Sequence, residues 1–180
     1  VPMGDDGVCS FLFVGRIMKE KGVDEFFSAA RTLKAEFGEK VAFDVVGFYE
    51  DAYKEQVDQL VADGVVRFHG FQTDVHPFYE AADCVVLPSY HEGMSNVLLE
   101  GAATGRALIT SDIPGCREAV EDGVSGYLCP AQDAEGLTQA MRDFAQQSFD
   151  RQVQMGQSGR ALVERKFDKQ LVVAKTLDGL

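Results

Sequence analysis

Apolar residues along this chain gather in short, nearly unbroken runs: FLFVG (11–15), VAFDVVG (41–47), VVRFHG (65–70), CVVLP (84–88), ALIT (107–110) and GYLCP (126–130). Runs of this length without strict alternation predict strands of a parallel sheet, covered on both faces. Between them the period changes. VDEFFSAARTLKAEF places Phe26, Ala30, Leu33 and Phe37 three or four residues apart, which marks a helix with one buried face. AYKEQVDQLVAD, DVHPFYEAA, SNVLLEGAATG and GCREAVEDG read as further helices, followed by helical segments at 133–148, 150–165 and 168–178. Strands and helices alternating over short connections predict an α/β fold. Its core is a doubly wound, mainly parallel six-stranded sheet with helices on both faces. Residues 1–10 read as a linker entering a strand, and 11–180 as one domain.

Composition changes this picture little. No apolar run approaches the roughly 18 residues of a membrane span, and VPMGDDGVCS lacks the layout of a signal peptide. A net charge of −12 argues against a nucleic-acid partner, because binding to a phosphate backbone is dominated by Lys and Arg. One small anion is still accessible to two or three cations in a pocket. Cys9, Cys84, Cys116 and Cys129 are scattered without a C-x-x-C, so neither a disulfide framework nor a zinc site is expected, and a cytoplasmic setting fits.

Ligands of open α/β sheets collect at the carboxyl ends of the strands. There the G-x-G-x-x-G dinucleotide fingerprint, the P-loop spacing and any Asp-x-Asp pair are missing. What stands there instead is VGRIMKEKGVDEF after the first strand and PSYHEGMSNVLLEG after the fourth. Arg16 and Lys21 beside a helix N-terminus would suit a diphosphate, with a guanidinium fork, a point charge and free N–H groups. The alternative is a solvated basic loop balanced by Glu20. In the second segment Gly93 permits a close turn, and the N–H groups of residues 94 to 97 could hold a phosphate oxygen. Glu92 precedes that turn, and Glu100 lies one helical turn beyond Asn96. Two such carboxylates could face opposite ends of one ligand, or be plainly exposed, with Glu100 paired to a lysine. His69, in FHGF, either lines a pocket or caps the sheet, and Glu118 would cap its own loop.

Three stretches, FLFVGRIMKEKGVDEFFSAA, VRFHGFQTDVHPFYEAADCVVLPSYHEGMSNVLLEGAATGRALITSDIPGCREAVEDGVSGYLCP and DAEGLTQAM, occur in an order and spacing that resembles a known family. They are similar to the C-terminal, donor-binding domain of GT-B retaining glycosyltransferases of family 4, with wording nearest to bacterial capsular and exopolysaccharide enzymes. The resemblance implies the Rossmann-like C-terminal half of a GT-B fold, with the N-terminal acceptor domain outside this chain. It implies Arg16, Lys21 and the backbone of Gly93, Met94, Ser95, Asn96 and Val97 on the donor diphosphate, and Glu100 on the ribose. It implies Glu92 near the transferred sugar as the catalytic residue, and His69, Gly70, Phe71 and Gln72 as the base-binding loop. No metal or other cofactor is implied. The substrates implied are a nucleoside-diphosphate sugar, UDP-linked for preference, and an acceptor sugar, lipid-linked acceptors included; the full-length enzyme would sit in the cytoplasm or at the inner membrane face. Two departures stand out: Met94-Ser95 after the first Glu-Gly, and FYEDAY where a glycine-proline turn is common. A GT-B-like sugar-nucleotide epimerase, or a non-catalytic nucleotide-binding α/β module, are the rival readings.

Overall fold

The computed structural model of the protein describes residues 1–168. All six expected strands form: β1 (Cys9–Val14), β2 (Val41–Val46), β3 (Arg67–Phe68), β4 (Cys84–Leu87), β5 (Ala107–Ser111) and β6 (Gly126–Cys129). They make one sheet in the order β3-β2-β1-β4-β5-β6, with every pairing parallel. Every residue of β1, β4 and β5 is buried. Because successive strand side chains point to opposite faces, such strands need helices over both. β1 starts two residues earlier than expected, inside the stretch read as a linker. β3 keeps only two residues, since it is an edge strand whose sole neighbour is β2.

The helices are α1 (Val23–Phe37), α2 (Lys54–Ala62), α3 (His76–Ala81), α4 (Asn96–Ala103), α5 (Ala134–Gln146) and α6 (Phe149–Val163). α1 packs against α5, and α4 against α6. The buried stripe of α1 is Val23, Phe26, Phe27, Ala29, Ala30 and Leu33, while Phe37 stays half-buried at its end. Phe26 meets Phe13 and Phe43, and Phe43 stacks on Phe11 at 5.5 Å between ring centroids. Each fully buried aromatic of this kind contributes about 1.5–3 kcal/mol of hydrophobic stabilisation. Two helix expectations are corrected. Segment 115–123 forms only a 3-10 turn at Arg117–Ala119, because Gly115 (φ 91°) and Gly123 (φ 78°) bound it with left-handed backbone. The start of the second helix is likewise a 3-10 turn, Asp51–Tyr53. Of the helix expected at 168–178, residues 169–178 lie outside the described residues.

Chain order reverses between β1 and β4, which are neighbours in the sheet. The connections leaving these two strands run in opposite directions, and in open α/β sheets ligands collect at such a switch point. Lys21 and the segment from Glu92 to Glu100 follow these two strands.

Candidate functional site

The loop after β1 carries Lys21 on a 3-10 turn, Lys19–Lys21, closed by Gly22 in left-handed backbone (φ 77°). Gly22 lies so close to the Pro88 carbonyl, at the end of β4, that a Cβ would collide with it. The two loops are therefore in backbone contact, and the Tyr90 N–H donates to the Glu20 carbonyl at 2.8 Å. Across this seam the Lys21 Nζ donates to Glu92 Oε1 at 2.5 Å, and Ser89 Oγ donates to the same oxygen at 2.9 Å. The Glu92 side chain is only 12% exposed and Lys21 30%. A carboxylate so nearly buried needs such partners, because an uncompensated charge there would be costly. The exposed-Glu92 alternative is thereby overturned.

Behind Glu92 the loop after β5 closes in. Gly115 sits against the carbonyls of Glu92 and Gly93, again with no room for a Cβ. Its N–H donates to Glu118 Oε2 at 2.9 Å, so Glu118 caps this loop as expected. Gly22 and Gly115 hold the Glu92 segment between two backbones.

The loop ends at α4. Ser95 is the N-cap, its Oγ accepting from the Leu98 N–H at 3.3 Å. The N–H groups of Asn96 and Val97 lie before the first intrahelical bonds, and no acidic residue stands in the first turn. Gly93, Met94 and Asn96 are exposed, Ser95 is buried and Val97 half-buried. Glu100 follows on α4, exposed, and without the lysine partner considered from the sequence among the described residues. Its neighbour is the buried Tyr79 hydroxyl. Burial first, and then the Glu100 carboxylate, push that phenol's pKa up, although the geometry falls short of a hydrogen bond.

α1 is a different matter. Its N-terminus carries Asp24 and Glu25. Tyr90 donates to Glu25 at 2.6 Å and Tyr53 to Asp24 at 3.3 Å; burial and the adjacent carboxylates push Tyr53 up to about 12. The helix whose N–H groups were expected to help an anion thus carries two carboxylates in its own first turn.

Arg16 is exposed and 3.9 Å from Glu50. It lines a cavity of about 580 Å³ together with Gly15, Gly47, Phe48, Tyr49, Phe71, Gln72 and Val75. Phe71 and Gln72 thus border open space, while His69 and Gly70 make bonds within the protein. His69 Nε2 lies 2.8 Å from Asp44 Oδ1, in a cluster where Arg67 forks onto Asp44, and the Gly70 carbonyl accepts from the Gly47 N–H. The His69 side chain is thus tied to Asp44 at the edge of the sheet. The stacked pair Phe48–Phe71 and the hydroxyl of Ser89 escaped sequence reading. The departure FYEDAY at the end of β2 was the one available signal for Phe48.

All four cysteines are buried and unpaired, and burial pushes the Cys129 thiol up to about 12. Among the described residues, no three His, Cys, Asp or Glu side chains gather as a metal would require, and no helix is long and apolar enough to cross a membrane.

A sheet of this order with two convergent loops at its switch point defines an open, doubly wound α/β domain. The family of group 1 glycosyl transferases matches residues 9–147, and the chain belongs to it. An N,N'-diacetylbacillosaminyl-diphospho-undecaprenol alpha-1,3-N-acetylgalactosaminyltransferase of Campylobacter jejuni is 31% identical over 71% of this chain and 33% of its own length. The capsular polysaccharide biosynthesis glycosyltransferase CapM of Staphylococcus aureus is 26% identical over 89% of this chain and 42% of its own. The chain therefore spans less than half of these relatives. Among solved structures, the C-terminal domain of a group 1 glycosyl transferase (LpcC) from Francisella tularensis aligns with a TM-score of 0.78 and 25% identity, covering 88% of this chain and 86% of that one. Anabaena HepE in complex with UDP aligns with a TM-score of 0.80 and 22% identity, over 97% of this chain and 50% of that one. These neighbours share the GT-B architecture.

Proposed function

We propose that this chain is the donor-binding domain of a retaining glycosyltransferase, which moves a sugar from a UDP-sugar to an acceptor hydroxyl in bacterial polysaccharide or glycoconjugate assembly. The observation that carries it is the contact of Lys21 with Glu92, on a loop that runs into the acid-free N-terminus of α4, in a chain of this family. The UDP complex of the HepE neighbour supports the choice of nucleotide, and the diphospho-undecaprenol in the name of the Campylobacter relative supports a lipid-linked acceptor.

In this reading the donor diphosphate lies between Lys21, Arg16 and the Asn96 and Val97 amides. Negative charge grows on the leaving diphosphate as the glycosidic bond breaks. Donors already aimed at it stabilise that state without reorganising, and no metal is called for. Glu92, held by Lys21 and Ser89 through Oε1, keeps Oε2 to position the sugar and steady positive character at its anomeric carbon. Glu100 accepts from the vicinal ribose hydroxyls. The acceptor and the remaining wall of the cleft come from an N-terminal domain, so the 180-residue chain alone binds nucleotide weakly and transfers nothing.

Calorimetric titration of UDP and GDP into the chain tests this. Saturable binding, weakened several-fold by Glu100→Ala, is expected; absence of binding by either nucleotide at millimolar concentration would sink the proposal.

A further inference from the structure

We infer that Tyr79 is a positioning residue for Glu100: its buried hydroxyl donates to the Glu100 carboxylate when a nucleoside diphosphate is bound, and so aims that carboxylate at the two ribose hydroxyls. This rests on the donor-binding reading above and adds to it a residue of α3, which acts through Glu100 rather than on the substrate.

Tyr79 lies within α3 and is wholly buried, and its hydroxyl oxygen is closed to solvent with no hydrogen-bond partner among the described residues. A buried donor left in that state is costly, and a phenylalanine of the same shape would avoid the cost. The backbone around it is pinned. Arg106, itself buried, donates from Nε to the Tyr79 carbonyl at 3.2 Å and from Nη2 to the Glu80 carbonyl at 2.8 Å. Across from it α4 is seated just as closely. At Gly101, the residue after Glu100, a Cβ would meet Val85 Cγ2 at 2.9 Å and Leu108 Cδ2 at 3.2 Å. Two helices fixed on the sheet in this way leave the Glu100 side chain as the part free to adjust. It is exposed, and its carboxylate adjoins the phenol without completing a hydrogen bond.

An ionised carboxylate offers about four lone-pair sites on its two oxygens. A vicinal diol takes one site on each oxygen, which leaves room for the phenol on one of them. Burial first, and then the neighbouring carboxylate, push the phenol's pKa up, so at neutral pH the hydroxyl keeps its proton and remains a donor. A long exposed side chain loses rotamer freedom when a ligand fixes it. A buried hydroxyl that favours one rotamer removes part of that loss, and the bond it makes is charge-assisted. A purely structural role at the α3–α4 contact would need the ring of Tyr79 and not its oxygen, which bonds to nothing that holds the fold.

The test titrates UDP, its 2′,3′-dideoxy analogue and inorganic pyrophosphate by NMR into the 180-residue chain and its Tyr79→Phe, Glu100→Ala and doubly substituted variants, with thermal melting as the control for folding. Tyr79→Phe should melt no lower than wild type and bind UDP about tenfold more weakly, while the dideoxy nucleotide and pyrophosphate bind as before. In the Glu100→Ala background the same substitution should change nothing. A loss shared by UDP and the dideoxy nucleotide, or one that persists in the Glu100→Ala background, would make Tyr79 structural and overturn the inference. An unchanged UDP affinity in Tyr79→Phe would overturn it too, and the donor-binding reading would stand. Should Tyr79→Phe melt lower, the two nucleotides still decide, because a loosened fold weakens both alike. Equal wild-type affinity for them would take Glu100 off the ribose, and the inference with it. If wild-type chain binds no UDP, the inference and the donor-binding reading fall together.

Discussion

Two helices, α1 and α4, end their preceding strands at the same edge of the sheet, and their N-termini are dressed in opposite ways. α1 opens with Asp24 and Glu25, and both carboxylates are gripped by tyrosines. α4 opens with a neutral serine cap and no acid. Both begin with unpaired N–H groups and the positive end of a helix dipole. α1 answers that charge internally and uses the answer as structure, because Glu25 ties down Tyr90 in the loop before α4. α4 leaves it for something else. In the proposed function the contrast divides labour between the loops, with the β1 loop supplying side-chain cations and the β4 loop, whose helix has no acid in its first turn, supplying backbone amides.

The contrast breaks most completely if the two loops are forced apart. Gly22→Ala places a Cβ against the Pro88 carbonyl at a left-handed position. Strain and displacement should together cost about 3 kcal/mol, and thermal melting should fall by roughly 6–12 °C. A melting point unchanged within a degree would deny the seam. Next in size is Lys21→Met, which deprives Glu92 of its cation and the crevice of a charge. UDP affinity should drop about tenfold in calorimetry, with a stability loss of about 1–3 kcal/mol from the stranded carboxylate. Intact affinity in this variant would remove Lys21 from the diphosphate.

Asn96→Asp sharpens the comparison directly by giving α4 the acid that α1 already has. Two signs should separate: the helix gains about 0.3–1 kcal/mol in thermal melts, while UDP binds several-fold more weakly. Parallel changes in both would mean that the α4 terminus is no anion site. The smallest effect is expected for Glu92→Gln, which releases Lys21 from its partner. UDP should then bind about two- to threefold more tightly by calorimetry, since a neutral amide competes less with phosphate for the ammonium. A large loss of affinity would instead make Glu92 a ligand of the nucleotide diphosphate itself.

Much of the fold was legible because its signals are local. The six apolar runs became six strands, and the 3.6-residue period of VDEFFSAARTLKAEF became α1 with the expected boundaries. Boundaries failed where local signal was thin. GCREAVEDG had too few residues between glycines to close helical turns, and VVRFHG shrank to an edge strand. Of the candidate site, the loops were legible and the pairings were not. Lys21 and Glu92 could be picked out by loop position, yet nothing nearby in sequence announces that they would meet across 71 positions. The aromatic pair was missed for the same reason, as Phe48 and Phe71 belong to separate loops.

By itself, the sequence determined which segments are strands and helices, which helix faces are apolar, and which helix N-terminus carries acids, because each depends on neighbours within a few residues. Tertiary structure alone decided that β1 lies beside β4, with the chain order reversing between them. Strand order follows from how helices pack over both faces of the sheet, and that is a property of the whole core. The Lys21–Glu92 contact follows from that adjacency, and the Phe48–Phe71 pair from the adjacency of β2 and β3, since each joins loops that only the assembled sheet brings together.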